Sequence, residues 1–297
     1  MLSIITCSIK PEQLKAFKKN IEDTIGIPFE LIAFDNRVHQ YGLCKVYNEC
    51  ARQASFNDFR IVYKTFLCFA HEDISFQTYD WGKIIISELS KPDCGVIGFA
   101  GASHKSLTIS GWHSSAQYDR FNFIQQSPQE TSPRPHYFNP TKKDFPEVIV
   151  LDGFCMFVRR SVWEKMPFDE KTFTGFHLYD LDFSMQIAQR YTNKVCFPIK
   201  VIHFSDGNFT NDWLNNSIIF HKKWEKSLPL YISTPSKKDI LADERRTSRK
   251  LVKMLIRNKL NSQTIKPFLL KHTRKYPLRW GTLTLWFKFL RYKKQLS

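Results

Sequence analysis

The stretch from Leu67 to Phe76, LCFAHEDISF, is an apolar, strand-like run that stops abruptly at His71, Glu72 and Asp73. An imidazole and two carboxylates in three consecutive positions can hold a divalent cation, and the carboxyl end of a strand is where open α/β sheets bind ligands. A cation held there can anchor a diphosphate. The competing explanation is a cap, with Asp73 or Glu72 accepting backbone N–H groups ahead of the helix that follows. Three later segments offer partners. LDGFCMFVRR reads as a turn at Asp152-Gly153 followed by a buried strand from Phe154 to Val158. FHLYDLDFSMQIAQR puts Asp180 and Asp182 at a helix start, and VIHFSDGNF puts His203 at another strand end. Gly153 would let a ligand approach the backbone closely, but a tight turn calls for the same residue. Both acids of the YDLD run also suit a helix N-terminus, where the macrodipole favours negative charge.

The elements that must position these groups alternate. A strand is expected from Leu2 to Thr6, a helix from Pro11 to Thr24, and a strand from Phe29 to Phe34 that ends in Asp35-Asn36. Part of a helix follows from Val46 to Ala54, then a short element from Phe59 to Val62 and a strand from Thr65 to Ala70. Next come a helix from Asp80 to Leu89 and a strand from Cys94 to Ala100. Such alternation predicts an α/β fold with a Rossmann-like, mostly parallel central sheet and flanking helices. Residues 101 to 147, dense in Ser, Pro and Gln, read as a long loop of the kind that forms lids or binds substrates, with Trp112 and His113 able to stack on a ring.

At 297 residues, 42% hydrophobic and 15% aromatic, the chain can bury a large core. Seven cysteines lie scattered without a CxxC pair and mostly within apolar runs, which favours reduced, structural thiols over disulfides or a zinc site. No leader with a basic start and an apolar core precedes the first strand, and no apolar run could span a bilayer, so a cytoplasmic protein is expected.

Charge divides the chain near YISTPSKKD. Ser233 to Ser297 holds 18 Lys and Arg against 3 Asp and Glu, a net of +15, whereas the first 232 residues hold 26 against 25, a net of +1. The expected domains are therefore 1–232 and a basic, amphipathic helical extension at 233–297. ADERRTSRKLVKMLIRNKL spaces Leu251, Met254, Leu255 and Leu260 at helical intervals. YPLRWGTLTLWFKFLRYKKQ interleaves Trp280, Leu283, Leu285, Trp286, Phe287, Phe289 and Leu290 with cations. Such a segment suits the headgroup layer of an anionic membrane, or else packs against the rest of the chain or a second subunit; nucleic acid is the weaker fit.

In the order and spacing of LCFAHED, LDGFC, LYDLD and VIHF, the chain from about Leu2 to Trp224 resembles the family 2 glycosyltransferases. These are inverting enzymes with the A-type nucleotide-diphospho-sugar transferase fold; within them the resemblance is strongest to the branch typified by a streptomycin-biosynthesis protein domain. It implies a hexosyltransferase-type enzyme of polysaccharide biosynthesis, moving a sugar from a nucleotide donor, UDP-linked by analogy, to a hydroxyl of a glycan or lipid-linked glycan. Asp73 would be the principal metal ligand, with His71 and His203 beside it and Glu72 pointing elsewhere. Imidazole tilts the metal from Mg2+ toward Mn2+.

The resemblance also gives Asp35 the uracil or ribose of the donor, with Thr6 lining that pocket. YGLCKVYNECARQA matches the helix after the nucleotide strand, where Lys45 could offset diphosphate charge and Asn48 could hold the loop or the phosphates. Asp152 and Gly153 would contact donor or acceptor sugar, with Trp112 as a stacking face. Where relatives carry a Glu-Asp pair as the base, this chain has Tyr179-Asp180, so Asp180 is the expected base and Asp182 the fallback. The lost Glu and the His at position 71 leave a second possibility open, a catalytically degenerate relative that binds nucleotide or glycan and uses its tail as a membrane-surface scaffold.

Overall fold

A computed structural model of the chain describes residues 1–54, 65–113, 115–127, 132–205, 207 and 209–294. The element expected from Phe59 to Val62 lies outside them. In chain order come β1 (Leu2–Ser8), α1 (Pro11–Thr24), β2 (Phe29–Asp35), α2 (Leu43–Gln53), β3 (Phe66–Ala70), β4 (Ile74–Phe76), α3 (Trp81–Leu89), β5 (Cys94–Gly98) and β6 (Ala100–Ala102). After β7 (His104–Lys105) follow β8 (Asp119–Gln125), β9 (Arg134–Phe138), β10 (Glu147–Val148), β11 (Val150–Leu151) and β12 (Cys155–Arg159). Then come α4 (Arg160–Trp163), α5 (Tyr179–Ile187), β13 (Thr192–Val195) and β14 (Val201–His203). Last are α6 (Asn211–Lys223), β15 (Leu230–Tyr231), α7 (Lys237–Arg257), α8 (Ser262–Lys275) and α9 (Trp280–Lys294).

The chain divides into two compact units, Met1–Ser103 with Asp119–Asp206, and His104–Tyr118 with Gly207–Ser297. This division follows contacts, whereas the one at 232/233 follows charge; α6 is grouped with the basic helices.

In the first unit a seven-stranded sheet runs β10-β13-β5-β12-β3-β1-β2. β1 is parallel to β2 and β3, and β13 is parallel to β5, while β12 runs antiparallel between β3 and β5. Five strands thus share one direction, β12 and the edge strand β10 opposing them, so the sheet is mixed α/β and mostly parallel, as the alternation predicts. All five residues of β3 are buried, which explains its unbroken apolar sequence. Helix α1 starts with Pro11 at its first turn and buries Phe17 and Ile21, four residues apart on one face. Trp81, at the start of α3, stacks on Phe76 with ring centroids 4.0 Å apart.

A second sheet, β11-β6-β8-β14-β4 with β9 on β8, overturns the expectation of a long loop over 101–147. DRFNFIQ forms a full strand, its Phe121 and Phe123 on one face of the period-two pattern. The single strand expected over Cys94–Ala100 is also divided at Phe99, because the chain passes there from the first sheet to the second.

In the second unit β15 pairs antiparallel with β7, and α7, α8 and α9 bury Leu251, Leu255, Ile265, Leu269, Leu285 and Phe289. Glu244 of α7 accepts hydrogen bonds from Ser106 Oγ (2.7 Å), Leu107 N (2.9 Å), Thr108 N (2.9 Å) and Thr108 Oγ1 (2.7 Å), which fixes the segment after β7. Buried Lys105 donates to Ser110 O at 2.7 Å, Ser110 Oγ at 2.8 Å and Gly111 O at 3.1 Å. Among the described residues no helix is long and apolar enough to cross a membrane. None of the seven cysteines forms a disulfide, and six are buried.

Candidate active site

Backbone pairing sets the geometry at the end of β3. His71 N donates to Phe154 O at 2.9 Å, tying the HED segment to the residue before β12. β4 and β14 run antiparallel with His203 opposite Ile74, and Phe204 N donates to Asp73 O at 2.9 Å. Asp73 and His203, 130 positions apart in sequence numbering, are thereby cross-strand neighbours. Their side chains meet: Asp73 Oδ1 lies 3.6 Å from His203 Nε2 and 3.9 Å from His71 Nδ1. One ligand atom from each of the three residues falls within 4.8 Å of the other two. Phe154 stacks on His203, centroids 4.7 Å apart, and fixes its ring plane; Ser205 Oγ lies 3.1 Å from His203 Nε2.

These three side chains fit a divalent cation. Asp73 Oδ1 is buried and has no hydrogen-bond partner among the described residues, a costly state for a carboxylate oxygen that a bound ion would relieve. Burial pushes the His71 pKa below its ordinary value, which favours the neutral imidazole that metals require. One oxygen and two imidazole nitrogens make a donor set better suited to Mn2+ than to Mg2+. Glu72 does point elsewhere: it accepts from the Ser8 hydroxyl, from Ile9 N at 2.9 Å and from Lys10 N at 2.8 Å, fixing the turn between β1 and α1. The cap considered for the helix that follows is not made, since α3 has no side-chain cap and Glu72 holds the turn ahead of α1 instead.

Asp152, Gly153, Tyr179 and Asp180 gather beside the triad. The Tyr179 hydroxyl donates to Gly153 O at 2.9 Å, and its oxygen lies 2.9 Å from His71 Nε2. A Cβ on Gly153 would sit 2.6 Å from Tyr179 Cζ and 2.7 Å from Asp180 Cβ, so the approach of α5 requires glycine there. Asp152 Oδ1 accepts from Phe154 N at 3.1 Å, which shapes the turn. Burial first, and then the charge of Asp152, raise the Asp180 pKa to about 7, the range of a working general base. Asp182 is 1% exposed and turned into the interior, where its charge adds to burial in raising the Cys44 thiol pKa. Two residues along a helix rotate a side chain by about 200°, so only Asp180 of the two meets Gly153.

The residues expected at the nucleotide lie on β1, β2 and α2. Ser8 pairs with Asp35 in the parallel register, so the carboxyl ends of β1 and β2 form one rim. Asp35 is exposed there and its pKa is held down to about 2 by hydrogen bonds from Arg37. Thr6 is buried, its hydroxyl without a hydrogen-bond partner among the described residues. Lys45 Nζ lies 3.5 Å from the Tyr41 ring centroid and 3.9 Å from Glu49 Oε1. Asn48 has its amide committed: Nδ2 donates to Phe168 O at 2.9 Å and to Glu170 Oε2 at 3.0 Å, and Oδ1 accepts from Trp163 Nε1 and Phe168 N. Of the two uses open to Asn48, the geometry is that of holding a loop, with nothing left for phosphate. Trp112 belongs to the second unit, its ring centroid 5.5 Å from that of His113. Tyr179 is the residue that sequence reasoning missed, because its position registered only as a lost Glu.

A family model described as "Glycosyltransferase like family" matches residues 3–225, and the chain belongs to that family. No curated protein sequence matches it. Among solved structures it is similar to the crystal structure of GalNAc-T7 with UDP, GalNAc and Mn2+, at 11% identity and a TM-score of 0.47 over 92% of this chain and 55% of that one. It is also similar to the mannosyltransferase PcManGT from Pyrobaculum calidifontis in complex with GDP-Man and Mn2+, at 11% identity and a TM-score of 0.47 over 98% of this chain and 84% of that one. The chain spans about half the length of the first of these.

Proposed function

We propose that the chain is an inverting, metal-dependent glycosyltransferase of family 2 and the A-type fold, in the streptomycin-biosynthesis-protein-like branch. It moves a hexosyl group from a nucleotide-diphosphate sugar, UDP-linked in the first instance, to a hydroxyl of a glycan or lipid-linked glycan in polysaccharide synthesis. The observation that carries this is the Asp73 carboxylate lodged between His71 and His203, beside a raised-pKa acid, in a chain of this family.

His71, Asp73 and His203 would hold Mn2+ or Mg2+, whose positive charge would offset that of the departing diphosphate. Asp180 accepts the proton of the acceptor hydroxyl as that oxygen attacks the anomeric carbon, and the charge of Asp152 helps keep its proton affinity high. Gly153, in place of the sugar contact expected of it, leaves room for α5 to bring Tyr179 and Asp180 against the turn. Asp35, on the exposed rim of β2, takes the nucleoside, and Lys45 faces the phosphates. Residues 1–232 form the catalytic region and 233–297 a basic extension, in a protein working at the cytoplasmic side of a membrane.

Release of UDP or GDP from a panel of nucleotide sugars with Mn2+ tests this in wild type, Asp73→Asn and Asp180→Asn. Turnover lost in both variants supports the proposal. Turnover unchanged in Asp180→Asn removes it as the base, and nucleotide binding without any turnover favours the noncatalytic scaffold.

A further inference from the structure

Helix α9 buries one face and leaves another bare. Leu285, Phe289 and Tyr292 are packed inside, whereas Trp280, Leu283, Phe287 and Leu290 are 79%, 58%, 69% and 54% exposed. Steps of three, four and three residues place these four on one stripe of the helix. An exposed apolar row of this size marks a contact surface.

Its surroundings decide what it contacts. Arg279, Lys288, Arg291 and Lys293 are exposed on or next to α9, and from Arg245 to Ser297 there are 16 Lys and Arg without a single Asp or Glu. A second copy of this surface would bring like charge against like. A bilayer containing anionic phospholipid presents the opposite sign to the cations and an apolar layer to the stripe. With no described helix able to span a membrane, contact is made from the surface.

We propose that the Trp280, Leu283, Phe287 and Leu290 stripe of α9 docks on anionic phospholipid bilayers, the helix lying in the headgroup layer with its cations at the phosphates. No residue of the candidate active site enters this argument, so the two proposals fail separately.

Cosedimentation of the full chain with phosphatidylcholine vesicles, and with equimolar phosphatidylcholine and phosphatidylglycerol vesicles, tests it. Partition should favour the anionic vesicles and weaken as salt is raised. The exposed pair Leu283→Gln and Phe287→Gln should lower it about tenfold or more, and Lys288→Gln with Arg291→Gln should weaken it while leaving the stripe intact. Circular dichroism melts that match wild type show that the variants remain folded. Equal partition into neutral and anionic vesicles, or partition unmoved by either pair, overturns the proposal. It is equally overturned if the chain ignores vesicles but binds a single-stranded RNA oligonucleotide, or if the Gln pair only separates self-associated copies.

Discussion

The Tyr179 hydroxyl oxygen lies 2.9 Å from His71 Nε2 while its single proton goes to Gly153 O, also at 2.9 Å. With that proton spent, the phenol can only accept from the ring, so His71 carries hydrogen on Nε2 and a lone pair on Nδ1. Nδ1 is the nitrogen that faces Asp73, at 3.9 Å. Tyr179 therefore presets the tautomer a metal ligand needs.

Removing only that hydroxyl, in Tyr179→Phe, should weaken Mn2+ binding by about 10- to 100-fold with the fold retained. Electron paramagnetic resonance titration of free Mn2+ measures this directly. An unchanged affinity would show that the phenol has no hold on the ring.

The rate should follow Asp180 with pH. The base must be ionised, so kcat/KM rises through about pH 7, the value to which burial and then the Asp152 charge raise it. Asp152→Asn removes one of those causes and should move the limb to lower pH, and bound Mn2+ should move it in the same direction. The same shift opposes stability: an unfolded aspartate ionises near about 4, so Asp180 favours the folded state most below that pH and loses this contribution as pH rises through about 7. A limb that Asp152→Asn leaves in place would separate the two carboxyls.

Asp73→Asn should abolish Mn2+ binding at little cost to the metal-free protein, because Oδ1 has no hydrogen bond to lose among the described residues. Thermal melts read both effects. Mn2+ at a hundredfold its Kd should stabilise wild type by about 2.7 kcal/mol and the variant not at all.

Glu72→Gln should do the reverse. Glu72 is buried and takes three donors, from Ser8, Ile9 and Lys10, so replacing one acceptor oxygen by an NH2 group should cost roughly 2–3 kcal/mol. A lower urea midpoint with unaltered Mn2+ affinity is the expected result. The opposite pattern would make Glu72 a ligand.

Much of this arrangement could be read from residue patterns, and the exceptions have physical causes. The expected bounds of α1, Pro11 to Thr24, match those observed because a proline start and a clear apolar face leave little choice. Asp73 and His203 were legible as strand-end residues, since apolar runs ending in polar groups mark sheet edges. Their mutual distance was not, because it depends on the pairing of β4 with β14. Loop-like Ser and Pro around Phe121 and Phe123 hid a strand whose alternation spans only a few residues. Helical geometry turns Asp180 and Asp182 to different sides, but which of them meets Gly153 depends on how α5 packs. Tyr179 was not legible, for its role appears only once β12 runs against its neighbours and brings Gly153 under the phenol.

The hydrogen bond from Phe204 N to Asp73 O holds positions 73 and 203 side by side through main-chain atoms. Exchanging the donor groups at 71 or 203 would leave that spacing intact, so ion preference can drift by single replacements while the framework stays put.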